Sequence, residues 1–271
     1  MDIPLTGRAP KLLLVIAALC AACGGGRGAI IVVPPNGSTT EGVDVSKFQG
    51  NVNWSAVAGS GKSFAITRVS DGLTVDSTFQ QNWQGIASAG LIRGAYQFFQ
   101  PGMDSAAQAA LLLSQIGTLG PGDLPPVLDV EVTGGQPGAQ INAEIGTWVA
   151  IVQAAIGRSP IIYTAPQFWA TTIGSRPNFG TDLWTADWNP NLPHVSSPWT
   201  GWEFWQYSIS GNVAGIPGQV DLDRFNGSLA ELQAYAVQAS TVPEPTTMVA
   251  GALLLLPLGL QAIRHLRNRK T

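Results

Sequence analysis

Short runs of apolar and β-branched residues recur along the middle of the chain, each closed by Gly, Pro, Asn or Asp. Eight of them read as strands, over 42–45, 63–69, 92–98, 126–132, 160–163, 183–186, 202–207 and 219–222. Their near-continuous apolar character is that of parallel strands covered on both faces. Between several of them the apolar spacing becomes helical. One helix is expected from a cap at Asp76 to a stop at Gly90, a second from Asp104 to Gly117, and a third over about 139–155 before Gly157. An acidic start and a glycine end are the usual helix boundaries. Beyond Tyr163 the connections are rich in Pro, Gly and Trp, which predicts irregular structure, and 228–239 reads as a closing helix. Alternating strand and helix predict an α/β fold: a single-domain, TIM-like barrel of eight strands with an irregular second half.

The two ends follow a different pattern. Arg8 and Lys11 precede an apolar run over 12–22 and then Gly24, Gly25 and Gly26. A basic start, an apolar core shorter than the ~20 residues of a membrane span and small residues after it are the layout of a secretory signal. Residues 1–29 are therefore expected to be a leader removed by signal peptidase. Ala21-Ala22-Cys23-Gly24 also resembles a lipoprotein processing site, although Cys20 stands where an apolar residue is usual. At the other end, Val242-Pro243-Glu244-Pro245 precedes an apolar run over 248–260, interrupted by Pro257 and followed by Arg264, Arg267, Arg269 and Lys270. This arrangement over 241–271 resembles a PEP-CTERM sorting signal read by an exosortase-type enzyme; a plain membrane anchor is the alternative. Either implies export to the envelope or cell surface of a bacterium. Residues 30–41, with Pro34, Pro35, Gly37, Ser38, Thr39 and Thr40, read as a linker, and the barrel is expected over 42–240.

Composition changes the picture in two ways. The chain of 271 residues carries a net charge of −3, but both ends are basic, so residues 30–241 hold seven basic and fifteen acidic side chains, a net of −8. No basic surface is left for nucleic acid. Both Cys lie in the leader, so the body has no disulfide and must be stable by core burial alone. With two His and two Cys in the whole chain, neither a metal site nor any other cofactor is expected, and a monomer is. His194 is the only body histidine and no Gly-x-Ser-x-Gly elbow exists, so serine hydrolysis is poorly supported. His194 is expected at the surface. Ala56 to Ser63 matches a relaxed phosphate-loop pattern. A helix precedes it and a strand follows, the reverse of the order that aims a helix N-terminus at phosphate.

The candidate chemistry lies in the acids. Asp129 and Glu131 are two apart on one predicted strand and so share a face. Asp44 ends the first strand and Asp221 the last, and first and last strands are neighbours in a closed barrel. The four are expected to converge at the mouth. Crowded carboxylates push one another to hold protons, and a protonated acid beside ionised ones is what glycosidic cleavage needs. Aromatic residues accompany them. Trp184, Trp188, Trp199, Trp202 and Trp205 cluster in sequence, and Tyr96, Tyr163 and Tyr207 fall near strand ends. Flat rings with polar handles suit sugar faces. Tyr96, Tyr163, Trp184, Trp205 and Tyr207 are the substrate-binding candidates.

The opening segment Gly42-Val43-Asp44-Val45-Ser46-Lys47-Phe48-Gln49-Gly50 resembles that of the glycoside hydrolase family 25 lysozymes, the Chalaropsis type. So do, in order, Gly94 to Phe99, Leu128-Asp129-Val130-Glu131, Leu183 to Ala186, Trp205-Gln206-Tyr207 and Val220 to Phe225. The resemblance spans about 42–230. It implies five β/α units followed by three strands, and cleavage of the β-1,4 bond between N-acetylmuramic acid and N-acetylglucosamine in peptidoglycan. It also implies roles. Glu131 matches the general acid, and Asp44 and Asp221 match supporting acids. Asp129 matches a carboxylate that either attacks or orients the substrate acetamido group. Asp223 shares the face of Asp221 or belongs to the following turn. Arg68-Val69-Ser70-Asp71-Gly72 stands where the family often has Lys-x-x-Glu-Gly, and Gln97 where it often has His; both bear on substrate choice. A non-catalytic glycan-binding barrel and a hydrolase of another amino-sugar polymer are the alternatives.

Overall fold

The computed structural model describes residues 26–188 and 191–237. The leader up to residue 25 and the sorting-like segment lie outside the described residues, among which no helix is long and apolar enough to cross a membrane. In chain order the strands are β1 (Ile30–Val32), β2 (Thr40–Val45), β3 (Phe64–Asp71), β4 (Thr74–Val75), β5 (Ile92–Phe98), β6 (Val127–Asp129), β7 (Ile161–Thr164), β8 (Asp182–Ala186), β9 (His194–Ser196), β10 (Phe204–Gly211) and β11 (Val220–Phe225). The helices are α1 (Trp54–Gly59), α2 (Phe79–Ser88), α3 (Ser105–Ile116), α4 (Gly138–Ile156), α5 (Pro166–Phe168) and α6 (Leu229–Tyr235). α5 is a single turn that runs on into a wider, π-type turn over Trp169–Ile173.

Eight strands close into a barrel in the order β2, β3, β5, β6, β7, β8, β10, β11 and back to β2. Neighbours from β2 round to β10 run parallel, whereas β11 is antiparallel to both β10 and β2. Helical segments follow each of β2, β3, β5, β6 and β7. The architecture is thus the α/β barrel of five β/α units and three further strands, with the irregular second half that the Pro- and Trp-rich sequence predicts. Asp104 caps α3, accepting from the N–H groups of Ala106 and Ala107. Gly157 ends α4 in the left-handed conformation, φ 73°, which costs glycine little. α6 is shorter than expected and starts with a capping box between Ser228 and Glu231. α1 precedes β3, so the phosphate-loop pattern is reversed as read from the sequence.

The strands sort their apolar side chains by face. Phe64, Ile66, Val127, Ile161, Trp184, Phe204 and Phe225 fill the barrel interior below the mouth. Val69, Leu128, Ile162 and Leu183 face outward against Leu112, Ile145 and Trp148 of the helices. Each parallel strand is therefore buried on both sides, which accounts for its continuous apolar sequence.

Two expectations are corrected. Residues 30–41 are not a free linker: β1 pairs antiparallel with β9, and Thr40 and Glu41 already belong to β2. The Pro, Gly, Ser and Thr in the stretch hid the β-branched Ile30-Ile31-Val32, whose backbone is satisfied by a distant partner. Asp76 does not hold the N-cap position of α2; Thr78 does, without a side-chain cap bond. Asp76 instead accepts from the Lys47 N–H, the Arg68 Nε and both the N–H and hydroxyl of Thr78, tying β3 to the loop after β2.

Candidate active site

Register decides which acids meet. Asp44 of β2 stands directly opposite Asp221 of β11, and facing residues of paired strands share one side of the sheet. Asp221 is the second residue of its strand. Because β11 runs against its neighbours, its start lies where their ends lie. The expectation that Asp221 ends the last strand is therefore corrected, and the antiparallel direction is what brings it to the mouth. β6 stops at Asp129, earlier than predicted. The Val130 N–H still donates to the Tyr163 carbonyl at 2.9 Å, which carries Glu131 just past the rim. Asp44, Asp129, Glu131 and Asp221 all line one cleft of about 380 Å³.

Their environments differ. Asp44 and Asp129 are buried, Asp221 is half-buried and Glu131 stands at the open edge. Burial, then the nearby Asp221, pushes Asp44 well above the ordinary carboxylate range. Burial and then Glu131 do the same to Asp129. Glu131 is raised by partial desolvation and then by Asp221, and burial lifts Asp221 to about 6. Arg68 is the one cation among the lining residues, and its charge works against the rise at Asp129. Four carboxyls with one guanidinium cannot all ionise at neutral pH, so the mouth holds protons and negative charge together.

A polar chain orients Asp44. The Gln206 Nε2 donates to Asp44 Oδ2 at 2.7 Å. The other end of that amide accepts from the Tyr163 hydroxyl at 2.9 Å and the Trp188 indole N–H at 3.1 Å. Two donors on Oε1 fix which way the amide points, so Asp44 always meets a donor. By contrast, Asp129 Oδ1 is buried with no protein partner. A buried acceptor left open costs free energy, and the residue that carries it lines the cleft.

The aromatic candidates divide. Tyr96, Tyr163 and Trp184 line the cleft. Trp184 is only 2% exposed and sits edge-on to both tyrosines, with ring centroids 4.7 Å from Tyr163 and 6.4 Å from Tyr96. It is floor rather than platform. The structure does not bring Trp205 or Tyr207 into the cleft. On β10, Phe204 and Gln206 face in and Trp205 and Tyr207 face out, as strand alternation requires. Trp205 packs in the outer core, and the Tyr207 hydroxyl bonds Glu41. Gln206 is the inward member of the Trp-Gln-Tyr motif; it was not among the candidates read from the sequence, although strand alternation could have found it. His194 lies part-exposed on β9, its ring 2.6 Å from Asp187.

Residues not chosen from the sequence form the rim. Phe48 is 78% exposed and Trp188 55% exposed, with Ile209 beside them. Phe48 rides on a short turn, Lys47–Gln49, held by a capping box between Ser46 and Gln49. The Arg68 guanidinium lies 5.2 Å from its ring. Exposed rings over an acidic floor have the flat apolar faces and nearby polar groups that suit stacking on sugars.

A closed barrel with converging carboxyls at its mouth and a ring-lined rim defines a polysaccharide-cleaving class of enzyme. Residues 43–216 match the family described as Glycosyl hydrolases family 25; the chain belongs to that family and is a glycoside hydrolase. It is 37% identical over 211 residues to "Lysozyme M1" of Streptomyces globisporus, covering 73% of this chain and 72% of that one. It is 30% identical over 210 residues to an "N,O-diacetylmuramidase" of Arthroderma benhamiae, covering 73% and 87%. The crystal structure of a bacterial lysozyme from Streptomyces coelicolor superposes with a TM-score of 0.70 at 37% identity, over 74% of this chain and 98% of that one.

Proposed function

We propose that the chain is an exported peptidoglycan hydrolase that cleaves the β-1,4 bond between N-acetylmuramic acid and N-acetylglucosamine. The observation that carries this reading is the meeting of Asp44, Asp129, Glu131 and Asp221 in one cleft. The names of the relatives, lysozyme and muramidase, support peptidoglycan as the substrate. Glu131, at the open edge with a raised pKa, gives its proton to the leaving oxygen as the C1–O bond breaks. Asp129 then serves in one of two ways. It bonds to C1 itself, or its carboxylate accepts the acetamido N–H while the acetamido oxygen bonds to C1. Water, deprotonated by Glu131, breaks that second bond and restores the enzyme. Asp44 and Asp221 supply negative charge around the developing oxocarbenium-like centre.

Export rests on the basic-apolar leader and the Pro-Glu-Pro segment with its apolar and basic tail, processed by signal peptidase and an exosortase-type enzyme. A monomer acting on glycan strands in the envelope is the working form.

The test is the identity of the new reducing ends. Purified peptidoglycan is digested, reduced with borohydride and hydrolysed. Reduced muramic acid is the expected product. Reduced glucosamine in its place identifies a glucosaminidase, and no new ends with retained binding identifies a glycan-binding barrel. A thiazoline analogue of the cyclised acetamido intermediate inhibits if the substrate group attacks C1, and does not if Asp129 attacks.

A further inference from the structure

Asp223 is the most deeply buried acid of the wall, with no exposed surface. It lies two residues after Asp221 on β11, opposite Gly42 of β2, so it faces inward, one layer below the mouth. A Cβ at Gly42 would collide with the Phe64 ring. That ring therefore fills the space beside Asp223 and keeps water away. Asp223 Oδ1 accepts from the Trp184 indole N–H at 3.0 Å. Its Oδ2 is buried with no donor facing it, and its place two residues along β11 from Asp221 makes it the diagonal neighbour of Asp44 on the inner face. A hydrogen bond between two neighbouring carboxyls requires a proton on one of them. Arg224, the next residue, points to the outer face and pairs with Glu41.

We propose that Asp223 is a positioning residue: as a neutral acid it donates a hydrogen bond to Asp44 and holds that carboxylate ionised and aimed at the mouth. The inference rests on the hydrolase reading above. Asp44 then meets two donors, Asp223 from β11 and Gln206 from β10, and both are neutral. Two neutral donors support its charge without the counter-ion that would cancel it before substrate arrives. Enclosure separates the two: Asp223 has no exposed surface, whereas Asp44 lines the cleft and meets the Gln206 amide. Burial and neighbouring acids raise both carboxyls well above the ordinary range, and the Gln206 amide and Asp223 offset part of the rise at Asp44. The other titratable groups facing Asp44 are Asp221 from β11, Glu131 and Asp129 from the β6 end, and the tyrosines Tyr96 of β5 and Tyr163 of β7.

The test uses a pair of near-isosteric variants. Asp223→Asn keeps both bonds, its oxygen accepting from Trp184 and its N–H donating to Asp44. Asp223→Leu keeps the bulk and loses both. On soluble peptidoglycan fragments, Asn is expected to keep kcat within about threefold and leave the pH profile in place. Leu is expected to lower kcat at least tenfold with KM little changed, and to move the acid limb to higher pH as Asp44 loses a donor. Equal impairment of the two variants overturns the proposal, because an ionised Asp223 would then be required; so does full activity in the Leu variant. A readout free of turnover accompanies this. With ¹³C-labelled Asp carboxyls, one signal, absent in Asp223→Asn, should keep its protonated-acid shift from pH 4 to 8. A shift to the ionised position by pH 6 overturns the proposal even if the protein proves inactive on peptidoglycan or the Leu variant does not fold.

Discussion

The wall formed by β2, β11 and β10 carries acids on both faces, and the two faces are built on opposite rules. On the outside, Glu41 accepts from Arg224 Nε at 2.8 Å, Tyr207 at 2.7 Å and Lys62 Nζ at 3.2 Å. Burial pushes its carboxyl up, but these donors and charges outweigh it and hold it below the ordinary range. On the inside, Asp44, Asp221 and Asp223 crowd together with amide and indole partners, and all three are raised. Side chains one position apart on the same strands thus do different work. The outer site contributes stability. The inner one costs stability, as expected where function works against folding.

Four experiments break or sharpen this contrast. The largest effect is expected at Glu131. Its replacement by Gln removes the proposed proton donor without changing shape, and should reduce peptidoglycan cleavage by about 10²–10⁴-fold with no loss of melting temperature at pH 7, since its raised carboxyl costs stability there. Next is Asp76, the anchor of Arg68. Asp76→Ala leaves a buried guanidinium unpaired and should destabilise by about 3–5 kcal/mol, read from urea unfolding.

A mirrored pair then compares the faces directly. Asp44→Asn should lower kcat strongly yet raise the melting temperature at pH 7, whereas Glu41→Gln should lower the melting temperature and leave kcat alone. The signs follow from linkage. A raised carboxyl costs stability above its unfolded pKa, so the gain in Asp44→Asn should vanish as pH falls below the ordinary carboxylate range. A depressed carboxyl stabilises above its unfolded pKa, so the loss in Glu41→Gln should vanish over the same descent. The smallest effect is expected at Asp221. Its charge raises Glu131, so Asp221→Asn should move the basic limb of the kcat/KM profile to lower pH.

Much of the fold is legible in the sequence because parallel strands buried on both faces announce themselves as apolar runs. The runs around residues 64, 92, 127, 161, 183, 204 and 220 all became barrel strands. β1 was hidden, since a three-residue strand paired with β9 leaves no local signal. The four acids were legible as a set, but the direction of the last strand was not. Asp221 reaches the mouth from the start of β11, and Asp223 faces the interior through the same register. The Trp205 and Tyr207 rings were misplaced for a related reason. An aromatic cluster in sequence says nothing about which face each ring takes, and alternation along β10 gives the inward place to Gln206. Phe48 and Trp188 sit outside regular strands, so no periodicity marked them, and only their exposure beside the cleft identifies them.

The measurement that bears most directly on the account is the rate at which wild type, Glu131→Gln and Glu41→Gln release soluble glycan from purified peptidoglycan at saturating substrate. Wild type and the outer-face variant should release it at equal rates, and Glu131→Gln should release almost none while still binding the polymer. Undiminished release by Glu131→Gln would contradict the assignment of the inner-face acids as the catalytic site.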